Sequence, residues 1–193
     1  MGNYLIETNE NVYEPAEDSY LLAENLMVEN GDEVLEIGTG TGIIAIAASN
    51  KAKSIIATDI NFNALEIAEK NIKKNNIGNI DLKFGNLFEP VEGEKFDLIL
   101  FNTPYLPTDE DDILEGDINF AFDGGLNGRN VIDEFLNNVK DYLNETGKVQ
   151  LIQSSLSNVE KTLKRLLDLG FIAEITAKEH IFFEDILLIS GFL

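Results

Sequence analysis

Short, nearly continuous apolar runs alternate along this chain with longer stretches in which apolar residues recur every third or fourth position. The first rhythm fits strands buried on both faces, and the second fits amphipathic helices. Glu33–Ile37, Ser54–Asp59 and Phe96–Asn102 read as buried strands, while Ile80–Phe84 alternates as a half-exposed strand does. Between them, Ile43–Ala48 reads as helix, and Asn63–Asn75 carries Ala64, Leu65, Ala68 and Ile72 at helical spacing before stopping at Gly78. A leading helix is expected over Tyr20–Met27, with Asp18 and Ser19 as its N-cap. Val131, Ile132, Phe135, Leu136, Val139 and Leu143 draw the core face of a later helix. Gly147 then opens a strand over Lys148–Ser154, and Val159, Leu163, Leu166 and Leu167 mark a further helix. Phe171–Ala177 and Ile181–Ser190 follow too closely for a helical crossover, so they are expected to pair as an antiparallel hairpin, with His180 in its turn. Strands alternating with helices predict an α/β fold, a mostly parallel sheet with helices on both faces. No repeat or linker interrupts the pattern, so one domain over residues 1–193 is expected.

Two strand ends carry chemistry. Glu33–Ile37 contains Glu36 and runs into Gly38-Thr39-Gly40-Thr41-Gly42. Glycines let a ligand approach the backbone where a side chain would block it, so strand, turn and helix form a nucleotide-binding element. The dinucleotide fingerprint requires a third glycine where Ile43 stands, and no Gly-Lys-Ser/Thr follows to make a P-loop. Asp59 ends the next strand about 20 residues past Gly38, the usual interval for an acid that binds ribose hydroxyls. The other end is Asn102-Thr103-Pro104-Tyr105. Pro104 forces Thr103 towards extended geometry. The Asn102 side-chain carbonyl and a main-chain carbonyl beside it are then two rigid acceptors able to grip an NH2 group. Tyr105 can stack on the plane carrying that group. An amide or amino nitrogen is a poor nucleophile, and fixing both its hydrogens beside an electrophile is how it is made to react.

Glu36, the glycine turn, Asp59 and Asn102-Thr103-Pro104-Tyr105, in this order, resemble a class I S-adenosylmethionine-dependent methyltransferase of the HemK type. That family methylates the glutamine of translation termination factors, and its tetrapeptide is usually Asn-Pro-Pro-Tyr, so Thr103 is a departure. The resemblance extends to Val12-Tyr13-Glu14-Pro15-Ala16-Glu17-Asp18-Ser19, typical of the short archaeal and eukaryotic members, and to Asp123-Gly124-Gly125-Leu126-Asn127-Gly128-Arg129. It implies a Rossmann-like, seven-stranded, mostly parallel sheet with an antiparallel C-terminal hairpin. It implies S-adenosyl-L-methionine as cofactor and S-adenosyl-L-homocysteine as product. Ser19, Glu36, Gly38, Gly40, Gly42, Asp59, Asn86 and Asn102 would serve the cofactor, with residues 1–30 covering it. Asn86 stands where the family more often has Asp, and its carbonyl can accept from the adenine amino group. Asn102, Thr103, Pro104 and Tyr105 would hold the substrate amide, the glutamine of a Gly-Gly-Gln motif. The short members are activated by a small zinc-binding subunit along one sheet edge, which places such a partner on Ile80–Phe84.

Charge narrows the acceptor. Thirty-five acidic against 14 basic residues give −21, which repels polyphosphates and leaves no basic patch for nucleic acid. An adenine-N6 methyltransferase shares the amino-group chemistry and stays as one alternative; a non-catalytic cofactor-binding scaffold is another. The acidic run Asp109, Glu110, Asp111, Asp112, Glu115 and Asp117 is either a solvated loop or a landing surface for a basic partner. Asn127 is expected to cap its helix, and Arg129 to pair with acids of that loop. The chain has no cysteine and one histidine, so disulfides and thiolate metal sites are excluded and no metal centre is expected. No signal core or apolar run of spanning length is present, and a cytoplasmic protein is expected.

Overall fold

Val34 and Leu35 are neighbours on one strand, point to opposite faces, and are both buried. Such a strand needs cover on two sides, and the computed structural model, which describes residues 4–109 and 116–193, supplies it. The elements are α1 (Glu17–Glu24), β1 (Glu33–Ile37), α2 (Ile43–Ala48), β2 (Ser54–Asp59), α3 (Phe62–Lys74), β3 (Ile80–Phe84), β4 (Phe96–Asn102), α4 (Asn130–Asn138), β5 (Leu143–Ser154), α5 (Val159–Asp168), β6 (Ile172–Ile181) and β7 (Glu184–Phe192). They build one seven-stranded sheet in the order β3-β2-β1-β4-β5-β7-β6. The first five are parallel, and β7 runs antiparallel to both β5 and β6. Leu35, Ile37, Ile99 and Phe101 pack against Ile132, Phe135 and Leu136 of α4 and Leu166 of α5. On the opposite face, Val34, Leu98 and Leu100 pack against Leu21 and Leu22 of α1 and Ile44 and Ala45 of α2. Each large side chain buried there contributes roughly 1.5–3 kcal/mol. Among the described residues no helix is long and apolar enough to cross a membrane.

β1 lies between β2 and β4, so the strand order reverses there and a crevice opens at the carboxyl ends of the strands. The fold corrects several expectations. α1 begins at Glu17 after Ala16, without a side-chain cap, and ends at Glu24; Asp18 and Ser19 sit inside its first turn because tertiary donors occupy the Asp18 carboxylate. Leu143 starts β5 instead of closing the face of α4. Leu167 is exposed, so the buried side of α5 rests on Leu166 and Thr162. His180 lies within β6, its Nδ1 2.9 Å from the Asp185 carboxylate; the turn is Phe182–Phe183. Arg129 is buried and, among the described residues, pairs with Asp133 of α4 while donating to the carbonyls of Ser157 and Asn158. Asn127 accepts from the Arg129 amide and is not the cap of α4, which is Arg129 itself. Of the acidic run, Glu110, Asp111, Asp112 and Glu115 lie outside the described residues.

Candidate active site

The first wall of the crevice is made of backbone. Gly38, Gly40 and Gly42 all have positive φ, 66°, 54° and 81°, a region L side chains rarely enter. A Cβ on Gly42 would press on Ala68 of α3 at 3.3 Å, whereas one on Gly40 would meet nothing within 4 Å. The turn is therefore packed at its base and open at its tip. Asp59 reaches across from β2 to hold it: Gly40 N donates to Asp59 Oδ2 at 2.9 Å, and Asn61 N to Oδ1 at 2.8 Å. Asn61, not Asp59, caps α3. Burial raises the Asp59 carboxyl, opposed by those backbone donors. Glu36 is buried behind the turn; its Oε2 accepts from Thr39 Oγ1 at 2.8 Å and Ala45 N at 3.1 Å, and its Oε1 has no partner. Burial pushes its carboxyl up to about 8.

The second wall is made of side chains. Asn102 Nδ2 donates to Asp18 Oδ2 at 3.1 Å and lies 3.3 Å from Ser19 Oγ, both from α1. Tyr105 OH donates to the same Asp18 oxygen at 3.3 Å. The other Asp18 oxygen accepts from Tyr13 OH at 3.0 Å and from the Ser19 amide. Burial, with the Asp18 carboxylate alongside, raises both phenols, so they stay protonated and donate. With its NH2 held from one side, the Asn102 amide can sit only one way round. Its Oδ1 is buried without a partner, and a buried acceptor left unmade costs roughly 1–3 kcal/mol. Thr103 Oγ1 donates to the Ile152 carbonyl at 2.7 Å, tying the tetrapeptide to β5 where the usual proline would have no donor. The segment after the loop clamps it from outside: a Cβ on Gly128, at φ 67°, would fall 2.2 Å from the Tyr105 carbonyl oxygen.

Between the walls lies a cavity of about 230 Å³. Ser19, Gly38, Gly40, Asp59, Asn86, Asn102 and Pro104 line it, with Val12, Tyr13 and Pro15 from the N-terminal segment. That segment is pinned over α3 by asparagine amides, Asn71 with Glu7 and Asn75 with Leu5. Glu36, Gly42, Thr103 and Tyr105 support the cavity from behind and are not on its wall; the Tyr105 ring packs against the core on both faces of the sheet. Sequence reading placed Val131 wholly in the core and Asp117 in an acidic run, either a solvated loop or a landing surface, yet both line the cavity. It also took Asp18 for a helix cap. The one signal for Asp18 was its place beside Tyr13 in the segment ahead of the first strand.

A model of the methyltransferase small domain matches residues 6–116. The chain is 49% identical over 181 residues to a protein of Methanocaldococcus jannaschii assigned the name protein N5-glutamine methyltransferase, covering 93% of this chain and 91% of that one. It is 36% identical over 165 residues to human methyltransferase HEMK2, covering 79% and 76% of the two chains. Among solved structures, the E. cuniculi Mtq2–Trm112 complex, responsible for methylation of the termination factor eRF1, superposes with a TM-score of 0.71 at 28% identity, over 94% of this chain and 98% of that one. A Pyrococcus furiosus methyltransferase shares the fold, with a TM-score of 0.76 at 24% identity, over 98% and 88%. The domain match, the relatives and the paired strand ends agree, and the chain belongs to the methyltransferase small domain family, in its short HemK-type branch.

Proposed function

We propose that this methyltransferase transfers a methyl group from S-adenosyl-L-methionine to the side-chain amide nitrogen of a glutamine in a translation termination factor, in the cytoplasm. The observation that carries the reading is the Asn102 amide, with its NH2 held by Asp18 and Ser19 and its Oδ1 buried and vacant. A vacant, oriented acceptor beside a nucleotide-sized crevice suits an incoming N–H. The cavity walls fit the cofactor. Gly40 leaves open space, Asp59 offers remaining carboxylate lone pairs for ribose hydroxyls, and Asn86 offers an amide for adenine. Gly38 and Ser19 complete that wall, with Glu36 and Gly42 bracing the turn. Bound there, the cofactor supplies a methyl group on a positively charged sulfur, whose bond to carbon breaks as nitrogen forms its own.

Asn102 Oδ1 and the Thr103 carbonyl accept the two amide hydrogens, so the nitrogen lone pair is aimed and its NH2 cannot rotate. Tyr105 acts through Asp18, keeping that carboxylate where it orients Asn102. The amide proton leaves to water after methyl transfer, so no strong base is required. The sheet edge supports a partner. Among the described residues β3 pairs only with β2, and Phe84 (60% exposed) lies beside the equally exposed Phe62 on α3, ring centroids 6.3 Å apart. A bare edge with an apolar end invites another chain, and a small activator subunit, a zinc-binding one by the resemblance, is its proposed occupant.

The test is transfer of labelled methyl to a purified termination factor with peptide mapping. Label on glutamine is expected, raised by co-expression with the partner. Label on lysine, on adenine in nucleic acid, or on nothing contradicts the reading.

A further inference from the structure

The turn between β6 and β7 has two residues, Phe182 and Phe183, since Ile181 pairs with Glu184. Two-residue hairpin turns place Gly, Asn or Asp where φ is positive. Phe182 instead adopts φ 47°, an outlier for so bulky a side chain. Both rings point into solvent, 88% and 97% exposed. The fold gains no burial from them and carries the backbone strain, and strain that persists in this way clusters at functional sites.

Register fixes where this tip points. Ser154 lies opposite Ile186 on β7, and Asn102 lies opposite Ile152 on β5. The tip therefore projects past the carboxyl ends of β4 and β5, the end at which Asn102 sits. Side chains tie it there: Ser154 Oγ bonds to the Glu184 carboxylate, and Asp185 N donates to Ser155 Oγ at 3.0 Å. The Glu184 charge is felt at Tyr105. Leu156, 59% exposed, follows on the same turn. Gly128 packs on both Tyr105 and Ser157, which brings Leu126, 77% exposed, to the same end.

We infer that the Phe182–Phe183 tip is the docking platform for the protein substrate, its rings seating against apolar side chains that flank the acceptor amide. The inference rests on the protein-amide reading and adds to it what the substrate must present: an apolar patch beside the glutamine on a basic surface. Charge selects this occupant. At −21, a second copy of the chain, an anionic membrane and a nucleic acid are all repelled, whereas a basic protein is drawn in. In the strands leading to and from the tip, Lys178 is paired with Asp185, and Glu179 and Glu184 leave an acidic excess beside the contact itself.

The test is the double variant Phe182→Gly with Phe183→Ser, because glycine suits the positive φ and the fold should hold or gain in melting temperature. With an intact termination factor as substrate, KM should rise about tenfold or more, the scale of losing an aromatic anchor, while kcat at saturation stays. With a short glycine-flanked glutamine peptide, parent and variant should match. An unchanged KM for the intact factor, with an active parent, overturns the docking role and leaves the protein-amide reading standing. A parent inactive on both factor and peptide overturns that reading and the docking role with it. Sedimentation showing a parent dimer that the variant loses, or phosphatidylserine vesicles bound by the parent alone, assigns the tip to another occupant and equally overturns it.

Discussion

The carboxyl ends of β1 and β4 lie side by side and are built in opposite ways. The β1 end is backbone: three glycines at positive φ, held by an Asp59 carboxylate that accepts main-chain amides. The β4 end is side chain: an asparagine amide whose orientation depends on Asp18, 84 residues earlier in the chain. A backbone wall presents shape and N–H groups to any ligand of the right outline. A side-chain wall presents one acceptor in one orientation. If the β1 end grips the cofactor and the β4 end aims the acceptor, as proposed, single substitutions should separate the two.

The largest effect belongs to the β4 wall. Asn102→Ala removes the vacant acceptor, and turnover should fall by about 10²-fold or more, the scale of losing one oriented partner in the transition state, with cofactor affinity held within a few-fold by calorimetry. Comparable turnover would take Asn102 out of the mechanism. Asp59→Ala should do the reverse, weakening cofactor binding by about 1.5–3 kcal/mol with little change in saturated turnover. Equal affinity in an intact fold would reduce Asp59 to a brace for the turn. Asp18→Asn comes next. Its two oxygens each take at least two donors, but one side of an asparagine amide only donates, so either Ser19 N or Asn102 Nδ2 loses its acceptor. Turnover should drop by about tenfold, the equivalent of one hydrogen bond, and cofactor affinity should hold; a drop in affinity alone would place Asp18 with the other wall.

The smallest effect is on stability and its pH dependence. The Glu36 carboxyl is raised to about 8 by burial, while the unfolded chain ionises near the ordinary value of 4.5. The folded state holds this proton more tightly, so the stability that Glu36 contributes is present below 4.5 and is lost as pH rises towards 8. Glu36→Gln keeps the shape without the titration, and its melting temperature should vary less than the parent's between pH 5 and 8. Parallel curves would mean that Glu36 ionises normally.

The contrast between the walls also explains what could be read from the sequence. Ser54–Asp59, Ile80–Phe84 and Phe96–Asn102 match their strands end for end, because each is an apolar or alternating run bounded by turn residues. The glycine turn was equally legible, since its chemistry is local. Asp18 was not: a carboxylate before an apolar stretch is locally a good cap, and only the approach of β4 gives it other donors. His180 and the hairpin turn slipped for a related reason. A Phe-Phe pair carries no turn signal, so the register of β6 and β7 set the turn, against local preference. Val131 sits on the apolar stripe of α4 yet lines the cavity, because a stripe wider than the core continues into the pocket.

The central claim is that the Asn102 carbonyl, held in one orientation by Asp18, receives the substrate amide. A double-mutant cycle between Asp18→Asn and Asn102→Ala, read as single-turnover methyl transfer to the glutamine of a termination factor, tests it most directly. If Asp18 acts through Asn102, Asp18→Asn costs about tenfold alone and close to nothing once Asn102 is alanine, a coupling of about 1.4 kcal/mol. The same tenfold loss in both backgrounds would show that Asp18 works independently of Asn102 and would contradict the account.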